Sequence, residues 1–596
     1  MLFQQIPRIA CFSGLIALGA GTCVQAQSTP PTVAKTASAE PGERTALQRG
    51  QELLQGGDLP GARNQFEKAV KFAPNDATAQ SALGWVLAQQ GELDSAVAHL
   101  KAAIKAKPEL VDAHLTLASV LAQQGKAAEA KSEAHAAVKI APGNAEAHRR
   151  LARILNNENS PAEALAEMRL AVQLDPKRAD LQNDLGTLLA QGNERGEAEA
   201  AFREAIRLQP DLEAAHFHLG VVRLQDQELD DAVAELGKAV TLAPQDAAAH
   251  YYLSKALAAQ GKPADALQEL RKSAALKQDW YELQVELGIA CQRAGDADAA
   301  VAAFGEAIKL RPQDAEAYND LGLALVEKGD AEGSIPKFQA AAKLRPEDGT
   351  FRGNLAIAYL QRADFDAAIT ELDAAIKLAP ANASLHYNLG LAYKLKDQLD
   401  LAVPEFQKAI ALQPDLADAH YTLGVLNWQK GEFDQAAGEL QKAIQARPDY
   451  AEAHYTLGTV FKQQGKSAEA AAELREAIRL QPNFAGAHTT LAAVLRQLGD
   501  AQGAAEEAKT GAKIAASTNN RQAAMFSTNS GKRLLGVGDV EGAIAQFRSA
   551  INSAPDYAAA HYQLGLALRQ SGKKDDAQKE FQRAAELDSH LTPPGQ

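Results

Sequence analysis

The sequence predicts an all-α solenoid of stacked, antiparallel helix pairs, and three observations lead to that fold class. The composition is that of a soluble helical protein, with 23% charged and 5% aromatic residues among 596. Prolines recur at a fixed interval through most of the chain. Within each interval, apolar and small residues keep helical spacing, so each interval predicts two amphipathic helices.

The proline interval defines the repeats. From Pro74 to Pro482 the interval is 34 residues, except for one gap of 68 in which Gln278 takes the proline's place. If this proline is position 32, the first repeat begins at Glu43 and sixteen repeats fill residues 43–591. Pro555 follows Pro482 after 73 residues, so repeat 14 carries a five-residue insertion and lacks its terminating proline.

The first half of each repeat predicts an amphipathic helix. Leucine stands at position 7 and glycine or alanine at position 8, as in Leu83 and Gly84. Positions 4, 7, 8 and 11 share one helical face. Glycine at position 15, for example Gly57 or Gly91, is expected to end this helix in a left-handed cap.

The second half of each repeat predicts a helix that packs on the first. Position 20 is nearly always alanine, position 24 is bulky and position 27 is mostly alanine, as in Ala96, Leu100 and Ala103. Small residues at positions 8 and 20 let the two helices approach closely, and the large residue at position 24 fills the space beside them. The proline then ends the second helix. One such pair cannot bury its own faces, so neighbouring pairs must stack.

These residues make the chain resemble the tetratricopeptide repeat family, over about nine-tenths of its length. The resemblance implies a right-handed superhelical solenoid whose first helices line the concave side. It also implies that this side binds a peptide or another protein.

The ends of the chain differ from the repeats. Residues 1–26 combine Arg8, an apolar run and the small residues Val24-Gln25-Ala26, which predicts a cleaved signal peptide and export to the periplasm or beyond. A retained membrane anchor and a lipoprotein at Cys23 are the alternatives. Residues 27–42 predict a flexible linker, and 592–596 a short tail.

The five-residue insertion suggests a seam near residues 514–529. It would separate repeats 1–14, residues 43–523, from repeats 15–16, residues 524–591. Ser530 also replaces the core leucine of repeat 15. Since each repeat contacts only its neighbours, we expect a hinge there and a less stable C-terminal block.

Nine of the thirteen histidines stand at position 4. A metal ladder would need several ring nitrogens within about 2.1 Å of one ion. Equivalent residues of stacked helices are roughly 8–10 Å apart, which favours packing. We therefore predict no metal site and no cofactor.

Candidate binding residues lie at positions 5, 6, 9, 12 and 13, on the predicted concave side, where an apolar stripe in repeats 8–13 indicates a contact surface. The glutamines at position 13 could hydrogen-bond an extended peptide. Asn354 and Asn388, both at position 6, resemble the row of asparagines in the repeat region of the O-linked N-acetylglucosamine transferase. The predicted peptide- or protein-binding residues are Phe217, Tyr251, Asn354, Tyr387, Asn388, Leu391, Tyr421, Val425, Trp428, Gln429, Tyr455 and Gln463.

Repeat 4 carries a cluster of basic residues. Arg149 and Arg153 are four residues apart, with Arg150 beside them. Side chains at this spacing share a helical face, so the cluster is a candidate anion-binding site. The alternative is an ordinary cluster of surface charges.

The sequence gives no support for catalysis. It holds no Gly-rich phosphate loop and no grouping of Ser, His and Asp outside the repeats. A net charge of −14 argues against a nonspecific grip on nucleic acid. We expect a non-enzymatic scaffold of the bacterial cell envelope that binds a protein or peptide. The alternative is a substrate-recruiting subunit of a machine for polysaccharide synthesis, export or glycosyl transfer whose catalytic chain is separate.

Overall fold

The structure is a computed structural model that describes residues 41–591. Its regular elements over this range are thirty-one α-helices. The all-α prediction is confirmed, and the first helix begins at Pro41, slightly before the predicted repeat 1. The predicted signal segment 1–26, most of the predicted linker 27–42 and the predicted tail 592–596 lie outside the described residues.

The chain divides into two compact bodies, Met1–Gly329 and Asp330–Gln596. The N-terminal body contains α1 (Pro41–Gln55), α2 (Leu59–Phe72), α3 (Ala77–Gln89), α4 (Leu93–Ala106), α5 (Val111–Gln123), α6 (Ala127–Ile140), α7 (Ala145–Asn157), α8 (Pro161–Leu174), α9 (Ala179–Gln191), α10 (Arg195–Leu208), α11 (Glu213–Gln225), α12 (Leu229–Leu242), α13 (Ala247–Ala259), α14 (Pro263–Leu276), α15 (Tyr281–Arg293), α16 (Ala297–Leu310) and α17 (Ala315–Glu327).

The C-terminal body contains the remaining helices. They are α18 (Ala331–Leu344), α19 (Gly349–Gln361), α20 (Phe365–Leu378), α21 (Ala383–Leu395), α22 (Leu399–Leu412), α23 (Ala417–Gln429), α24 (Phe433–Ala446), α25 (Ala451–Gln463), α26 (Ser467–Leu480), α27 (Ala485–Gln497), α28 (Ala501–Gly536), α29 (Val540–Ser553), α30 (Ala558–Gln570) and α31 (Lys574–Leu587). Within each body, every helix packs against the next one along the chain, as the stacked helix pairs require.

Close approach at position 8 holds each pair together. A Cβ atom added to Gly186 would lie 2.6 Å from Cε1 of Phe202, the position-24 residue of the same repeat. Phe202 is fully buried. The predicted pairing of a small residue with a large one is therefore the contact between the two helices.

Residues with positive φ end the first helices. Gly91 has φ of 82°, and the other glycines at position 15 adopt the same left-handed conformation. Asn159 in repeat 4 and Asp397 in repeat 11 adopt it without glycine, with φ of 61° and 60°. The predicted left-handed cap is confirmed, and it extends to repeats that lack the glycine.

The predicted seam falls inside one helix. α28 runs without a break from Ala501 to Gly536, so it joins the second helix of repeat 14 to the first helix of repeat 15. The five inserted residues lengthen this helix and form no loop. Bending or independent unfolding at the seam stays a prediction, now for a continuous helix.

Candidate functional site

The nine position-4 histidines share one set of hydrogen bonds. Each Nδ1 lies 2.5–2.6 Å from a carboxylate oxygen of the glutamate at position 23 of the same repeat. Each Nε2 lies 2.9–3.1 Å from the carbonyl oxygen of the preceding repeat's proline. The histidines are His114, His148, His216, His250, His386, His420, His454, His488 and His561.

This arrangement gives the packing interpretation a chemical basis. Both nitrogens of each ring face oxygen acceptors, and a ring N–H donates at whichever nitrogen carries the proton. Each ring thereby ties the two helices of its own repeat to the turn that ends the previous repeat. Both nitrogens are occupied by these contacts, and the described residues contain no group of three or more potential metal ligands.

The predicted anion site of repeat 4 is neutralised by the protein's own carboxylates. Arg149 donates to Asp184 at 2.6 Å and to Asp180 at 2.7 Å. Arg150 donates to Glu146 at 2.9 Å. Ion pairs therefore already engage both guanidinium groups, which argues against the predicted use of Arg149 and Arg150 for an external anion.

Two further arginines belong to this cluster. Arg178, which the sequence analysis missed, bridges Glu146 and Asp180 at 3.0 and 2.6 Å. Arg153 is exposed on the same helix. The cluster is a structural network between repeats 4 and 5.

Three predicted binding residues are buried and contribute packing instead of accessible surface. Phe217 is 9% exposed, Tyr251 6% and Asn388 5%. The Tyr251 hydroxyl donates to Glu286 at 2.7 Å, and its ring lies 4.6 Å from that of Trp280. Burial raises the pKa of Tyr251, with Glu286 adding to the shift. These side chains fill the space between successive first helices.

Except for Asn354 at position 6, the other predicted binding residues lie on what we call the first-helix face of the C-terminal body, formed by positions 2, 5, 9, 12 and 13 of repeats 10–14. Gln429 and Gln463 are exposed, whereas the remaining seven are half-buried: Asn354, Tyr387, Leu391, Tyr421, Val425, Trp428 and Tyr455. On this face α19 contacts α21, α23 contacts α25, and α25 contacts α27. The structure therefore places these residues on the same side of successive first helices.

Aromatic pairs join the first helix of a repeat to the turn at the end of the same repeat. The rings of Tyr421 and Tyr450 lie 4.9 Å apart, and those of Tyr455 and Phe484 lie 4.7 Å apart. Asp418 accepts both guanidinium hydrogen bonds of Arg447, at 3.0 and 2.9 Å, and a third from the Tyr450 hydroxyl at 3.2 Å. These contacts hold the aromatic groups in place before any partner arrives.

Trp428 and Gln463 form a further link between repeats 12 and 13. The indole Nε1 donates to the Gln463 side-chain oxygen at 2.8 Å. The indole is half-buried, and its polar edge is satisfied within the protein. The Gln463 amide nitrogen remains available to donate to a bound backbone carbonyl.

A row of cations that was not predicted flanks Trp428 at position 12. Position 12 is uncharged in repeats 1–10, then holds Lys394, Trp428, Lys462 and Arg496 in repeats 11–14. Within residues 41–591, no hydrogen bond or ion pair joins these three cations to a carboxylate. Lys394 is half-buried, and burial lowers the pKa of its ammonium group. Comparing position 12 across all repeats would have found this signal.

A scan of the helices for long apolar segments gave no candidate membrane span among the described residues.

Family models for the tetratricopeptide repeat match most of the chain. One model with this description matches residues 47–110, 183–247, 227–279, 285–349, 455–519 and 528–591. A model described as TPR repeat matches residues 358–397, 395–431 and 428–465. Another tetratricopeptide repeat model matches residues 87–154. The matches therefore fall in both bodies.

Solved structures show weaker similarity. A chain of the APC/C hetero-tetramer Cut9-Hcn1 is 15% identical, with a TM-score of 0.34 and coverage of 88% of this chain and 96% of that one. PilF of Pseudomonas aeruginosa is 24% identical, with a TM-score of 0.33 and coverage of 35% and 94%. YrrB, described as having an unusual peptide-binding site, is 24% identical, with a TM-score of 0.27 and coverage of 32% and 97%. No curated protein matches the chain. At such values, none of these similarities extends to a partner or a pathway.

Proposed function

Because the chain belongs to the tetratricopeptide repeat family, whose members bind protein or peptide partners, we propose that it is a non-enzymatic scaffold. It holds an acidic segment of another protein along the first-helix face of repeats 10–14. Apolar groups of the partner pack beside Trp428 and Tyr421, and its carboxylates lie along the cations at position 12.

The observation that carries this proposal is the half-buried Lys394 beside exposed Leu395, at the same repeat position as Trp428 in the next repeat. Keeping a lysine charged away from water is unfavourable unless a counter-ion is close. A partner carboxylate at this position would supply the counter-ion, while its neighbouring apolar groups cover the indole. Position-12 side chains of adjacent repeats are roughly 8–10 Å apart, a distance that an extended acidic segment spans in about three residues.

Binding of a labelled peptide tests this proposal. The probe is a twelve-residue peptide of alternating Glu and Leu, compared with the same peptide carrying Gln in place of each Glu. We expect the Glu peptide to bind more tightly at low salt. Lys394→Gln with Lys462→Gln should weaken this binding at least tenfold, and Trp428→Ala should weaken both peptides.

The matched control carries Lys343→Gln and Lys377→Gln, which remove the same charge from exposed sites on second helices. Equal affinity for the Glu and Gln peptides would contradict the acidic partner. An equal loss in the control variant would show that net charge, and not this face, accounts for binding.

We place this scaffold in the bacterial cell envelope, on the strength of the signal pattern in residues 1–26. Export with cleavage leaves an N-terminus near Gln27, which mass spectrometry of the protein purified from its native cells measures. A chain that begins at Met1 and fractionates with membranes would favour the retained anchor.

A further inference from the structure

The regular repeats show what covers the end of a helix pair. In each of them the chain turns back after the second helix, and the first helix of the next repeat packs against that second helix, as α27 packs against α26. In repeats 12 and 13 the position-21 residue of the second helix is then buried, with Ala437 7% and Ala471 1% exposed. The position-3 residue of the following helix is buried as well, as Ala487 shows.

Repeats 14 and 15 lack this contact. Because α28 is continuous, the second helix of repeat 14 and the first helix of repeat 15 follow each other along one axis and cannot pack side by side. Ala505, at position 21, is exposed. Phe526, at position 3, is 73% exposed, and Met525 beside it is 47% exposed. The second-helix face around Ala505 and the first-helix face around Phe526 are therefore both exposed to solvent, whereas the equivalent faces of regular repeats pack against each other.

We propose that a second copy of this chain covers both faces, through antiparallel pairing of the two α28 helices about a two-fold axis near Asn519. The first half of one α28 then packs against the second half of the other, in the direction that second and first helices take in regular repeats. The pairing forms the missing interface twice, once on each side of the axis. Every open face of both copies is then covered, so the assembly is a closed dimer.

The interface is continuous with the contacts between regular repeats. Residues at equal distances from Asn519 lie opposite each other, which places Ala512 against Phe526 and the small Ala505 near the second half of the partner helix. A large side chain against a small one is the complementarity that the repeats use elsewhere.

Charges on α28 fit the same register. Glu506 precedes Asn519 by thirteen residues and Lys532 follows it by thirteen, so the pairing brings each Glu506 opposite the other copy's Lys532. Both residues are exposed in the single chain. The segment between Ile514 and Phe526 carries one charge, Arg521, so the crossing point adds little repulsion.

Mass measurement by light scattering tests the proposal on the full chain. We expect twice the chain mass for the wild type and the single chain mass for Phe526→Asp, with unchanged helicity because Phe526 is exposed. Phe72→Asp, at another exposed phenylalanine, should leave the mass doubled. Glu506→Lys and Lys532→Glu should each weaken the dimer, and the double variant should restore it. A wild type of single mass, or a dimer that survives Phe526→Asp, would overturn the proposal.

Cysteine cross-linking tests the register. In a background of Cys11→Ser, Cys23→Ser and Cys291→Ala, Asn519→Cys should form a disulfide between copies under mild oxidation. Lys509→Cys should not, because two residues ten positions from the axis are about 30 Å apart. Cross-linking by Lys509→Cys without Asn519→Cys would exclude this register.

Discussion

His420 donates a hydrogen bond from Nδ1 to Oε2 of Glu439, 2.6 Å away on the second helix of the same repeat. Its Nε2 lies 3.0 Å from the carbonyl oxygen of Pro414, in the turn before the repeat begins. One buried side chain thus connects both helices of its repeat to the turn that precedes the repeat. The same connection in nine repeats makes position 4 the polar centre of the helix pair.

Removing this connection should destabilise the C-terminal body. His420→Leu removes the ring from the Pro414 carbonyl and from the Glu439 carboxylate, which keeps its hydrogen bond from Lys442, and the loss of a hydrogen bond to a charged group costs about 1.5–3 kcal/mol. His420→Gln should cost less, because Gln80 at the same position donates to the Pro74 carbonyl at 2.7 Å. Urea unfolding of the two variants measures the difference. Equal losses would mean that the ring contributes by volume alone.

Acid should weaken the protein through the glutamates of these connections. Burial alone would raise the pKa of Glu405, but hydrogen bonds from Lys408 and His386 outweigh it and hold that pKa below its ordinary value. The pKa values of Glu269 and Glu439 are lowered in the same way. A carboxyl with a lowered folded-state pKa stabilises the fold above its unfolded pKa of about 4.3, and this contribution is lost as the pH falls through the folded value.

The unfolding midpoint in urea should therefore fall as the pH drops from about 5 to 3. The triple variant Glu269→Gln, Glu405→Gln and Glu439→Gln should be less stable at pH 7 and lose less on acidification. Replacing three exposed glutamates, Glu109, Glu163 and Glu469, serves as the control and should keep the wild-type slope. Parallel pH profiles for the triple variant and the wild type would contradict the assignment.

A glycine at position 8 should not tolerate replacement by a larger residue in the repeats where position 24 is phenylalanine. Gly186→Val places carbon atoms where the buried Phe202 ring lies, and such overpacking costs about 1–3 kcal/mol. Gly196→Ala is the matched control, because its added Cβ meets open space in a helix. It should be neutral or stabilising by up to about 1 kcal/mol, since alanine has the higher helix propensity. Denaturant titration followed by circular dichroism compares the two.

The helix pairs were predictable because one face of each helix repeats its small and large residues at fixed positions. Position 4 was predicted as packing, but its partners were not identified. They lie nineteen residues ahead and six behind, and only the folded pair brings them together. A signal existed: glutamate stands at position 23 in every repeat with the histidine, and in repeat 2 the roles are exchanged, with Gln80 2.6 Å from His99.

The candidate site was predicted less well than the fold. Tyr421, Val425 and Trp428 were found from their apolar pattern, whereas Phe217 and Tyr251 have the same pattern and are buried, because their neighbours Tyr252 and Trp280 pack over them. For the predicted anion site of repeat 4, the sequence did not indicate the ion-pair partners of the arginines. Arg149 and Arg150 are adjacent in sequence, but the carboxylates that neutralise them include Asp180 and Asp184 from the next repeat.

The middle of α28 should be the first site of cleavage in the C-terminal body when the chain is a monomer. Residues 516–523 are all exposed, so their helix is held mainly by backbone hydrogen bonds, to which Arg521 adds a 3.9 Å ion pair with Asp556 and a contact over the Tyr557 ring. Ser517, Thr518, Asn519 and Asn520 have low helix propensity, and a short exposed helical segment is marginal in water. We therefore expect the predicted hinge to be this segment of α28, through local unwinding of the helix.

Limited trypsin digestion of Phe526→Asp, which keeps the chain monomeric, should cut after Arg521 before it cuts after Arg475, an exposed arginine on the well-packed α26. The cut should leave a folded fragment that contains repeats 1–14. Asn519→Ala with Asn520→Ala should slow it, because alanine raises the local helix stability by roughly 0.5 kcal/mol per residue. Trypsin can cut a helix only where the helix unwinds locally, even if the arginine side chain is exposed. Cleavage at the two arginines at the same rate would therefore show that α28 is as well protected as a packed helix.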